Sequence, residues 1–406
     1  MYTIMDRENQ PINLKDVLIE MKDISELMVD LAYSAVLFES NAIADEVIEL
    51  EERMNDLVYQ ARITSMMSVR SIEETEPMSG LLQLAEASER ISNHAADIAK
   101  NIMRHVSFPA NLRRALPEAE EATYRSVVAP RSPLDGACLG DIKLQSMTGI
   151  RVIMIRRMRQ RFYDPDKHTV LRAGDVLVGR GSEYGFPAFC ELTGQPEPTD
   201  EPELSTPITD LDRAAALMIE MKNISELSVG LAYSALLHDN MDLANEVVAL
   251  EEELDEMRLK LDLWTLEAAK RTEDVTSLRG MLYMSSFAES ISDAACSIAD
   301  VVLREIEVPP IIKRIVRESD EIISWVMVHE GSTLENKSLA ESHVGTVTGM
   351  VIFAIKHENK WVYRPGRNVC LYAGDLLVAR GRRDGEEKLY GLCGADTDEI
   401  DDFEEE

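Results

Sequence analysis

The sequence predicts an α+β protein made of two copies of one unit, in which helices precede a small sheet. The chain of 406 residues aligns with itself after a shift of 200 positions, without insertion or deletion. In each copy the first part carries apolar residues at spacings of three and four, which is typical of amphipathic helices. Short apolar runs bounded by Gly, Pro and Asp follow, and these are typical of strands. The chain is therefore a tandem repeat of one helix-then-sheet unit.

The first helices of the two copies are more similar in sequence than the sheet parts. Residues 19–52 and 219–252 are identical at 21 of 34 positions, whereas residues 139–181 and 339–381 are identical at 14 of 43. We predict from the first helices that both copies present the same exposed helical surface to a symmetric or pseudo-symmetric partner. The shared positions on this surface include Glu20 and Glu220, Lys22 and Lys222, and Glu26 and Glu226.

Three helices are predicted in each copy, and together they favour a helical bundle. In the first copy the apolar positions run from Leu14 to Ala35, from Ile43 to Ala61 and from Leu84 to Ile102. Turns are predicted at Ser40-Asn41 and at Pro77-Met78-Ser79-Gly80, with Asn41 and Ser79 as N-caps.

The sheet part of each copy is predicted to contain three strands and one short helix. The strands are expected at 125–129, 150–155 and 175–179, and again at 324–328, 350–355 and 375–379; the short helix lies within 139–144 or 339–344. A module of this size is marginal alone and needs a partner face.

These patterns and the composition divide the chain into six segments. Helical domains are expected at 12–123 and 212–323, sheet modules at 124–195 and 324–395, a Pro-rich acidic linker at 196–211 and an acidic tail at 396–406.

Composition limits the classes of function. The net charge of −32 and the pI near 4.6 argue against binding to nucleic acid or to anionic membranes. Five cysteines without metal-ligand spacing fit free thiols in a reducing compartment. Without an apolar leader or a long apolar run, we expect a cytoplasmic protein that does not insert into a membrane. No nucleophile with a base is recognisable, so no enzyme is expected.

Basic residues concentrate in one hairpin of the first copy. Arg156, Arg157, Arg159 and Arg161 are candidate ligand-binding residues, because clustered guanidinium groups suit a phosphate-bearing nucleotide or an acidic partner. The alternatives are a solvated edge hairpin and internal pairing with the chain's own acidic helices. The Gly-Asp pairs at Asp175 and Asp375 favour structural turns rather than catalysis.

The sheet segments resemble a known regulatory family. Gly349-Met-Val-Ile-Phe-Ala-Ile is followed by Leu371-Tyr-Ala-Gly-Asp-Leu-Leu-Val-Ala-Arg-Gly, and the first copy has Leu171-Arg-Ala-Gly-Asp-Val-Leu-Val-Gly-Arg-Gly. This order resembles the TrkA-C or RCK-C domain of potassium-conductance regulators. The resemblance implies a dimerising, ligand-sensing attachment to cation channels, with a cyclic dinucleotide bound between two domains in some members. No GxGxxG motif follows a strand, so a nucleotide-binding Rossmann domain is not expected.

The helical segments resemble half of a PhoU domain, a family of phosphate-transport regulators. The resemblance rests on Leu50-Glu51-Glu52-Arg53-Met54-Asn55 with Glu89-Arg90-Ile91-Ser92-Asn93, and on the corresponding text of the second copy. It implies metal binding by acid pairs spaced four residues apart on neighbouring helices.

The second copy has the complete acid pairs. Glu251 with Asp255, and Glu289 with Asp293, each lie on one helix face and so provide four carboxylates for a hard divalent cation. The first copy has asparagine at 55 and 93, which should weaken such a site. The alternative is an ordinary solvated acidic face.

We therefore expect a cytoplasmic, ligand-sensing regulatory subunit of a membrane cation transport system, with potassium first and magnesium second. Its partner would be a channel or transporter subunit, and the protein would be a homodimer or an intramolecular pseudo-dimer. The expected ligands are a cyclic dinucleotide at the sheet modules and a divalent metal at the helices. Two alternatives remain open: a PhoU-type regulator of phosphate transport or signalling, and a metal-binding scaffold.

Overall fold

The computed structural model assigns most of the chain to helices and short strands, which confirms the α+β class. The described residues are 14–69, 71, 75–115, 122–142, 144–158, 160–163, 165, 168–181, 185–196, 209–271, 275–306, 322–358, 360–363 and 365–395. The helical segments of both copies form one compact unit, and the sheet segments of both copies form another.

The helices and strands follow the same order in both copies. The helices are α1 (Leu14–Leu37), α2 (Asn41–Ser68), α3 (Thr75–Met103), α4 (Ala110–Ala115), α5 (Leu139–Ile142), α6 (Leu144–Thr148), α7 (Phe186–Thr193), α8 (Asp210–His238), α9 (Met241–Ala269), α10 (Val275–Leu303), α11 (Leu339–Ser342), α12 (Val344–Thr348) and α13 (Arg383–Cys393). The strands are β1 (Ala122–Val127), β2 (Arg151–Arg157), β3 (Gln160–Tyr163), β4 (Val176–Gly181), β5 (Ile322–Met327), β6 (Val351–His357), β7 (Lys360–Tyr363) and β8 (Leu376–Gly381).

The predicted turn between α1 and α2 is present, but its cap differs by one residue. Ser40 has extended backbone angles, and its hydroxyl accepts from the backbone N–H of Ile43. Ser40 is therefore the N-cap, and Asn41 is the first helical residue. The second copy uses Asn240 in the same way, at 3.0 Å from the backbone nitrogen of Leu243.

The predicted turn at Pro77-Met78-Ser79-Gly80 is wrong, because α3 already begins at Thr75. Pro77 lies in the first helical turn, where the backbone N–H that proline lacks would have no partner within the helix. Ser79 is therefore inside the helix and is not a cap.

The predicted acidic linker ends earlier than expected. Thr209 caps α8 through a capping box with Asp212, so residues 210 and 211 are already helical. Most of the predicted linker, 197–208, and the whole predicted tail, 396–406, lie outside the described residues. Among the described helices, none is both long enough and apolar enough to cross a membrane.

The two copies pack against each other inside the helical unit. The rings of Tyr33 and Phe287 lie 5.4 Å apart, and Gln83 on α3 donates to the backbone oxygen of Ser297 on α10 at 2.7 Å. A Cβ atom at Gly280 would come within 2.7 Å of Phe108. Glycine at this position therefore allows α10 and the segment around Phe108 to pack closely. The core of the unit is thus shared between copies.

The predicted surface on the first helices is not exposed, because its central residues are buried between the copies, and each copy is the pseudo-symmetric partner of the other. Lys22 is 2% exposed and Lys222 is 5% exposed. The ammonium of Lys22 lies 5.3 Å from the ring centre of Tyr233, and that of Lys222 lies 5.2 Å from the ring centre of Tyr33. Each copy therefore presents the same surface to the other copy, which is the physical reason for its high identity.

Each of these lysines also has a carboxylate beside it on its own helix. Lys22 contacts Glu26 at 3.0 Å, and Lys222 contacts Glu226 at 2.8 Å. Burial raises the pKa of Tyr33 well above its ordinary value, with a further rise from Glu226. Burial likewise raises the pKa of Tyr233, so both rings stay neutral and face the cations as uncharged π-systems.

Each sheet module is a four-stranded antiparallel sheet, with the orders β1-β4-β2-β3 and β5-β8-β6-β7. The three predicted strands of each module are present, while the fourth strand and the C-terminal helices α7 and α13 were not predicted. Both sheets carry an irregularity at the same place, between Val152 and Met154 and between Ile352 and Ala354. The predicted short helix is a pair of shorter helices in each copy.

The two modules contact each other through α6 and α12. Gly349, with a φ of 71°, closes α12, and a Cβ atom there would lie 3.1 Å from Gln145 of the first copy. A Cβ atom at Gly149 would lie 2.9 Å from the backbone oxygen of Gly345. Glycine at these two equivalent positions thus permits both the left-handed turn and the close packing of the modules.

Candidate functional site

The Gly-Asp turn organises a buried carboxylate in each sheet module. Gly174 has a φ of 87°, which glycine adopts without strain, and the following Asp175 is buried. Its carboxylate accepts from the backbone N–H of Arg172 at 2.8 Å. It also accepts from Nε and Nη2 of Arg157 at 2.8 and 2.7 Å. The predicted structural role of this aspartate is consistent with these contacts.

These contacts determine what Arg157 does. Its guanidinium forms a two-point contact with Asp175 and also donates to the backbone oxygen of Val170 at 2.6 Å. The hydrogen bond with Asp175 raises the pKa of Arg157. Of the alternatives for this arginine, the geometry favours internal pairing, although with the turn aspartate rather than with the acidic helices.

The other predicted ligand residues lie on the same hairpin. Arg156 is half-buried on β2, and the strand register places position 161 opposite it on β3. Arg159 and the side chain of Arg161 lie outside the described residues. A phosphate-binding role for Arg156, Arg159 and Arg161 stays a prediction.

The second copy holds the equivalent carboxylate with a different cation. Asp375 is buried and accepts from the backbone N–H of Tyr372 at 2.9 Å, but His357 stands where the first copy has Arg157. Nδ1 of His357 lies 2.5 Å from the Asp375 carboxylate. This hydrogen bond raises the pKa of His357. Sequence reasoning missed this pair, although the 200-residue shift aligns His357 with Arg157.

A cavity of about 210 Å³ lies in the second sheet module, between α11, α12 and the start of β6. Its lining is mainly apolar, with two basic residues among the lining side chains. The lining includes Leu339, Val344, Met350, Val351, Ile352 and Pro365, together with His343 and Arg367. Small-molecule sites usually exceed 300 Å³, so this cavity fits one base or phosphate group rather than a whole dinucleotide. His343 and Arg367 were not predicted, since neither belongs to a recognisable motif.

The predicted metal residues lie on neighbouring helices of the helical unit. Glu251 and Asp255 are on α9, and Glu289 and Asp293 are on α10. Burial raises the pKa of Glu251, and the negative charges of Asp255 and Asp293 raise it further. The four carboxylates therefore share one electrostatic environment.

In the described structure these four carboxylates are not arranged to hold a metal ion. Glu289 forms an ion pair with Arg258, which places a positive charge beside the carboxylates. Burial also raises the pKa of Glu289, against the lowering effect of this arginine. Within the part of the chain that the structure describes, no three His, Cys, Asp or Glu side chains are grouped to hold a metal. The metal site stays a prediction.

The first copy neutralises the corresponding acids. Lys100 lies 2.9 Å from Glu51, and Arg62 lies 2.8 Å from Glu89. In the second copy the position of Lys100 is occupied by Asp300, which accepts from Gln83 at 3.1 Å. Asp300 also pairs with Arg304 at 2.8 Å, so the second copy differs from the first in which basic residues its acids contact.

Comparisons with known proteins identify both domain types in both copies. The model of the PhoU domain matches residues 18–102 and 218–302, and the model of the TrkA-C domain matches residues 124–194 and 323–394. A comparison with curated proteins gives no match.

Solved structures give weaker likenesses. The crystal structure of PhoU from Pseudomonas aeruginosa is 13% identical over 72% of this chain and 96% of that chain, with a TM-score of 0.40. The GsuK channel bound to NAD is 12% identical over 79% of this chain and 65% of that chain, with a TM-score of 0.18. BusR of S. agalactiae, in complex with its busAB promoter DNA, is 11% identical over 46% of this chain and 98% of that chain, with a TM-score of 0.18.

These scores are too low to carry an argument, so the assignment rests on the domain models. PhoU and TrkA-C are regulatory domain families. The chain is a duplicated PhoU and TrkA-C domain protein with a regulatory role.

Proposed function

We propose that this protein is a cytoplasmic, non-enzymatic regulatory subunit of a membrane cation transport system, most specifically one that carries potassium, with magnesium as the second candidate. The observation that carries the proposal is the pairing of two TrkA-C modules through α6 and α12 within one chain. A ligand that binds one arrangement of the paired modules more tightly than another would shift the protein toward that arrangement. The PhoU domains would transmit that shift.

The sheet unit provides chemistry for a nucleotide ligand. The cavity in the second module combines an apolar lining with His343 and Arg367, which suits a base next to a phosphate. The basic hairpin around Arg156 adds positive charge in the first module. A cyclic dinucleotide is the proposed ligand, with one nucleotide in the cavity and the other outside it.

The charge of the chain supports a membrane partner. The net charge of −32 would be attracted to the Lys- and Arg-rich cytoplasmic loops of transporters. Electrostatic attraction of this kind speeds association and weakens with salt.

A pull-down from native membranes tests the proposal directly. The tagged full chain should co-purify a cation channel or transporter subunit at low salt, and less of it at high salt. A charge-matched acidic protein serves as the control for non-specific capture. Recovery of no transport protein in several salt conditions would contradict the proposal.

Thermal unfolding tests the ligand separately. Cyclic di-adenosine monophosphate should raise the unfolding temperature, and the substitution Arg367→Ala should reduce that rise, because a bound ligand stabilises only the folded state. Cyclic dinucleotide that gives no shift would refute the ligand but not the membrane partner.

A second candidate function rests on the PhoU domains, which occupy more of the chain than the TrkA-C modules. In this alternative the protein regulates a phosphate transporter or a sensor kinase. Ion uptake in a deletion strain separates the two: altered phosphate uptake with normal potassium and magnesium uptake would favour the alternative.

A third candidate, a metal-binding scaffold, depends on Glu251 and its neighbours. Metal analysis of the purified protein should then find a divalent ion that is lost in the Glu251→Gln, Asp293→Asn double variant. Glu51→Gln in the first copy is the matched control.

A further inference from the structure

Helix α9 carries a row of exposed leucines on its outer face. Leu259, Leu263 and Leu266 are 72%, 57% and 61% exposed, whereas Leu254 and Leu261 on the opposite face are buried in the bundle. Single exposed leucines need no explanation, but three on one helix face form a continuous apolar stripe. The helix therefore has one apolar face inside the unit and a second one outside it.

The outer face has the spacing of a coiled-coil seam. The stripe extends through Glu252 and Glu256 on its N-terminal side and through Lys270 on its C-terminal side, and all three are exposed. The six positions alternate steps of four and three residues, which is the repeat by which two helices pack side by side. From Glu252 to Lys270 the seam is about 27 Å long.

The first copy has the same pattern on α2. In order, the equivalent positions are Glu52, Asp56, Tyr59, Ile63, Met66 and Arg70, the last of which lies outside the described residues. Tyr59 and Met66 are exposed as well. Five of the six positions differ between copies, yet each keeps its character: two acids, three apolar residues and one base. Surface positions without a shared role would not be expected to change residue and still keep this order of acids, apolar residues and base.

We propose that the outer seam of α9 pairs in antiparallel orientation with α9 of a second copy of this chain. The order of charges along the seam selects this occupant. Antiparallel pairing places Glu252 of each copy near Lys270 of the other, whereas parallel pairing would place acid against acid and base against base. In this register Leu259 of each copy meets Leu263 of the other in the middle of the contact, and Leu266 lies opposite Glu256.

The ion pairs that these residues already form within one copy do not prevent pairing with a second copy. Lys270 contacts Glu267 at 2.5 Å and Glu256 contacts Lys260 at 3.5 Å, all within the exposed surface of α9. Exposed pairs of this kind contribute little and rearrange easily.

The expected dimer is reversible and of micromolar affinity. One narrow helix pair buries less surface than a permanent interface, and two chains of net charge −32 repel each other. Dimerisation should therefore be measured at about 0.15 M salt, where long-range repulsion is screened. The proposal does not depend on the membrane partner or on the ligand.

Sedimentation of the full-length chain over a range of concentrations tests the interface. The unaltered chain should dimerise, and the Leu259→Glu, Leu263→Glu variant should bind at least about a hundredfold more weakly, because it places four carboxylates in the seam. Val275→Glu, which also replaces an exposed apolar residue of the helical unit, should leave the dimer intact. Circular dichroism confirms that each variant is folded.

Charge reversal tests the orientation. Glu252→Lys and Lys270→Glu should each weaken the dimer about tenfold, and the two together should restore it, because the exchanged charges again face each other. In a parallel dimer neither single reversal would weaken binding, because like charges would face each other in the unaltered chain and in every variant.

Cross-linking gives an independent readout in a Cys370→Ser background, which removes an exposed native thiol. The two copies of Leu263→Cys, offset by only about 6 Å along the expected contact, should be joined by a short bifunctional thiol reagent, and those of Glu252→Cys, about 27 Å apart, should not. Three results would each overturn the proposal: a chain that is monomeric at all concentrations, equal cross-linking at both positions, or a dimer that survives Leu259→Glu, Leu263→Glu but is lost in Ile63→Glu, Met66→Glu.

Discussion

The two sheet modules hold the same buried carboxylate with different cations. In the first copy Arg157 contacts Asp175 through two nitrogens, and in the second His357 contacts Asp375 through one. Arginine stays protonated at every accessible pH, whereas histidine gains and loses its proton near neutrality. The fold thus requires a partner for this aspartate, but only the second copy makes that partner sensitive to pH.

The helical unit shows the opposite behaviour at its centre. Lys22 and Lys222 lie in equivalent buried surroundings, each near a tyrosine ring of the other copy. Away from the centre the copies diverge, since Glu51 is paired with Lys100 while Asp300 occupies the position of Lys100 in the second copy and pairs with Arg304. The central contacts, which each copy makes with the other in equivalent form, are the same in both sequences, whereas the contacts farther from the centre differ between the copies.

The largest expected effect is at this centre. Lys22→Ala and Lys222→Ala should each lower the free energy of unfolding by about 3 kcal/mol, because each leaves a largely buried glutamate without its cation. Because the two lysines lie in equivalent surroundings, the two losses should agree within about 0.5 kcal/mol, the size of deviation usually seen between independent sites. Urea unfolding followed by circular dichroism measures both, with the exposed Lys260→Ala as control. Losses that differ several-fold would break the proposed equivalence.

Removal of the turn carboxylate should have the next largest effect. Asp175→Ala should destabilise its module by about 2 kcal/mol, since it removes an ion pair and a hydrogen bond to the Arg172 backbone. Asp375→Ala should have a smaller effect at high pH, where His357 is neutral. Peptide-resolved hydrogen exchange in β4 and β8 reports on each module separately. Equal losses at all pH values would contradict the difference between the copies.

The pH dependence of the second module should be smaller but specific. Because the folded-state pKa of His357 is raised above its ordinary value of about 6.5, the stabilisation is complete below that pH. It is lost as the pH rises through the folded-state pKa. Asp375 and Glu358 are the charged groups that raise this pKa. Hydrogen exchange in β8, corrected for intrinsic rates, should therefore quicken above neutrality.

Two reciprocal substitutions sharpen this test. His357→Arg should remove the pH dependence of β8, and Arg157→His should introduce one in β4. Protection of β8 that stays constant between pH 6 and 9 in the unaltered chain would exclude the switch.

The smallest effect is expected at the acidic helices. Asp255→Asn with Asp293→Asn gives the second copy the asparagines of the first, and it should stabilise the helical unit by a few tenths of a kcal/mol at low salt. The reason is that both acids raise the pKa of Glu251 by repulsion. Thermal unfolding at low and high salt measures the gain, which salt should abolish. A loss of stability would show that the acids have attractive partners.

Sequence reasoning succeeded where a pattern is local. The helices followed from apolar spacing, and the Gly174-Asp175 turn followed from the preference of glycine for positive φ. It failed at Pro77, because proline is compatible both with a turn and with the first turn of a helix. It also failed to predict β3 and β7, since strands of four residues carry too little alternation to recognise.

The candidate site was predicted in part. The Arg hairpin and the acid pairs are visible as charge patterns, but the partners of Arg157 and Glu289 are not, because they lie 18 and 31 residues away along the chain. The cavity near His343 and Arg367 depends on how two short helices pack against β6, and no motif encodes that packing.

The sequence by itself determined the duplication, the helix-then-sheet order and the two domain families, because each follows from residue identity at fixed spacing. Only the tertiary structure decided which surface the repeated helices use. Lys22 and Lys222 read as exposed charges on amphipathic helices, yet they are buried because the other copy provides a tyrosine ring and their own helices provide glutamates. Periodicity identifies the apolar face of a helix, but whether the polar face meets water or a second copy depends on packing across 200 residues.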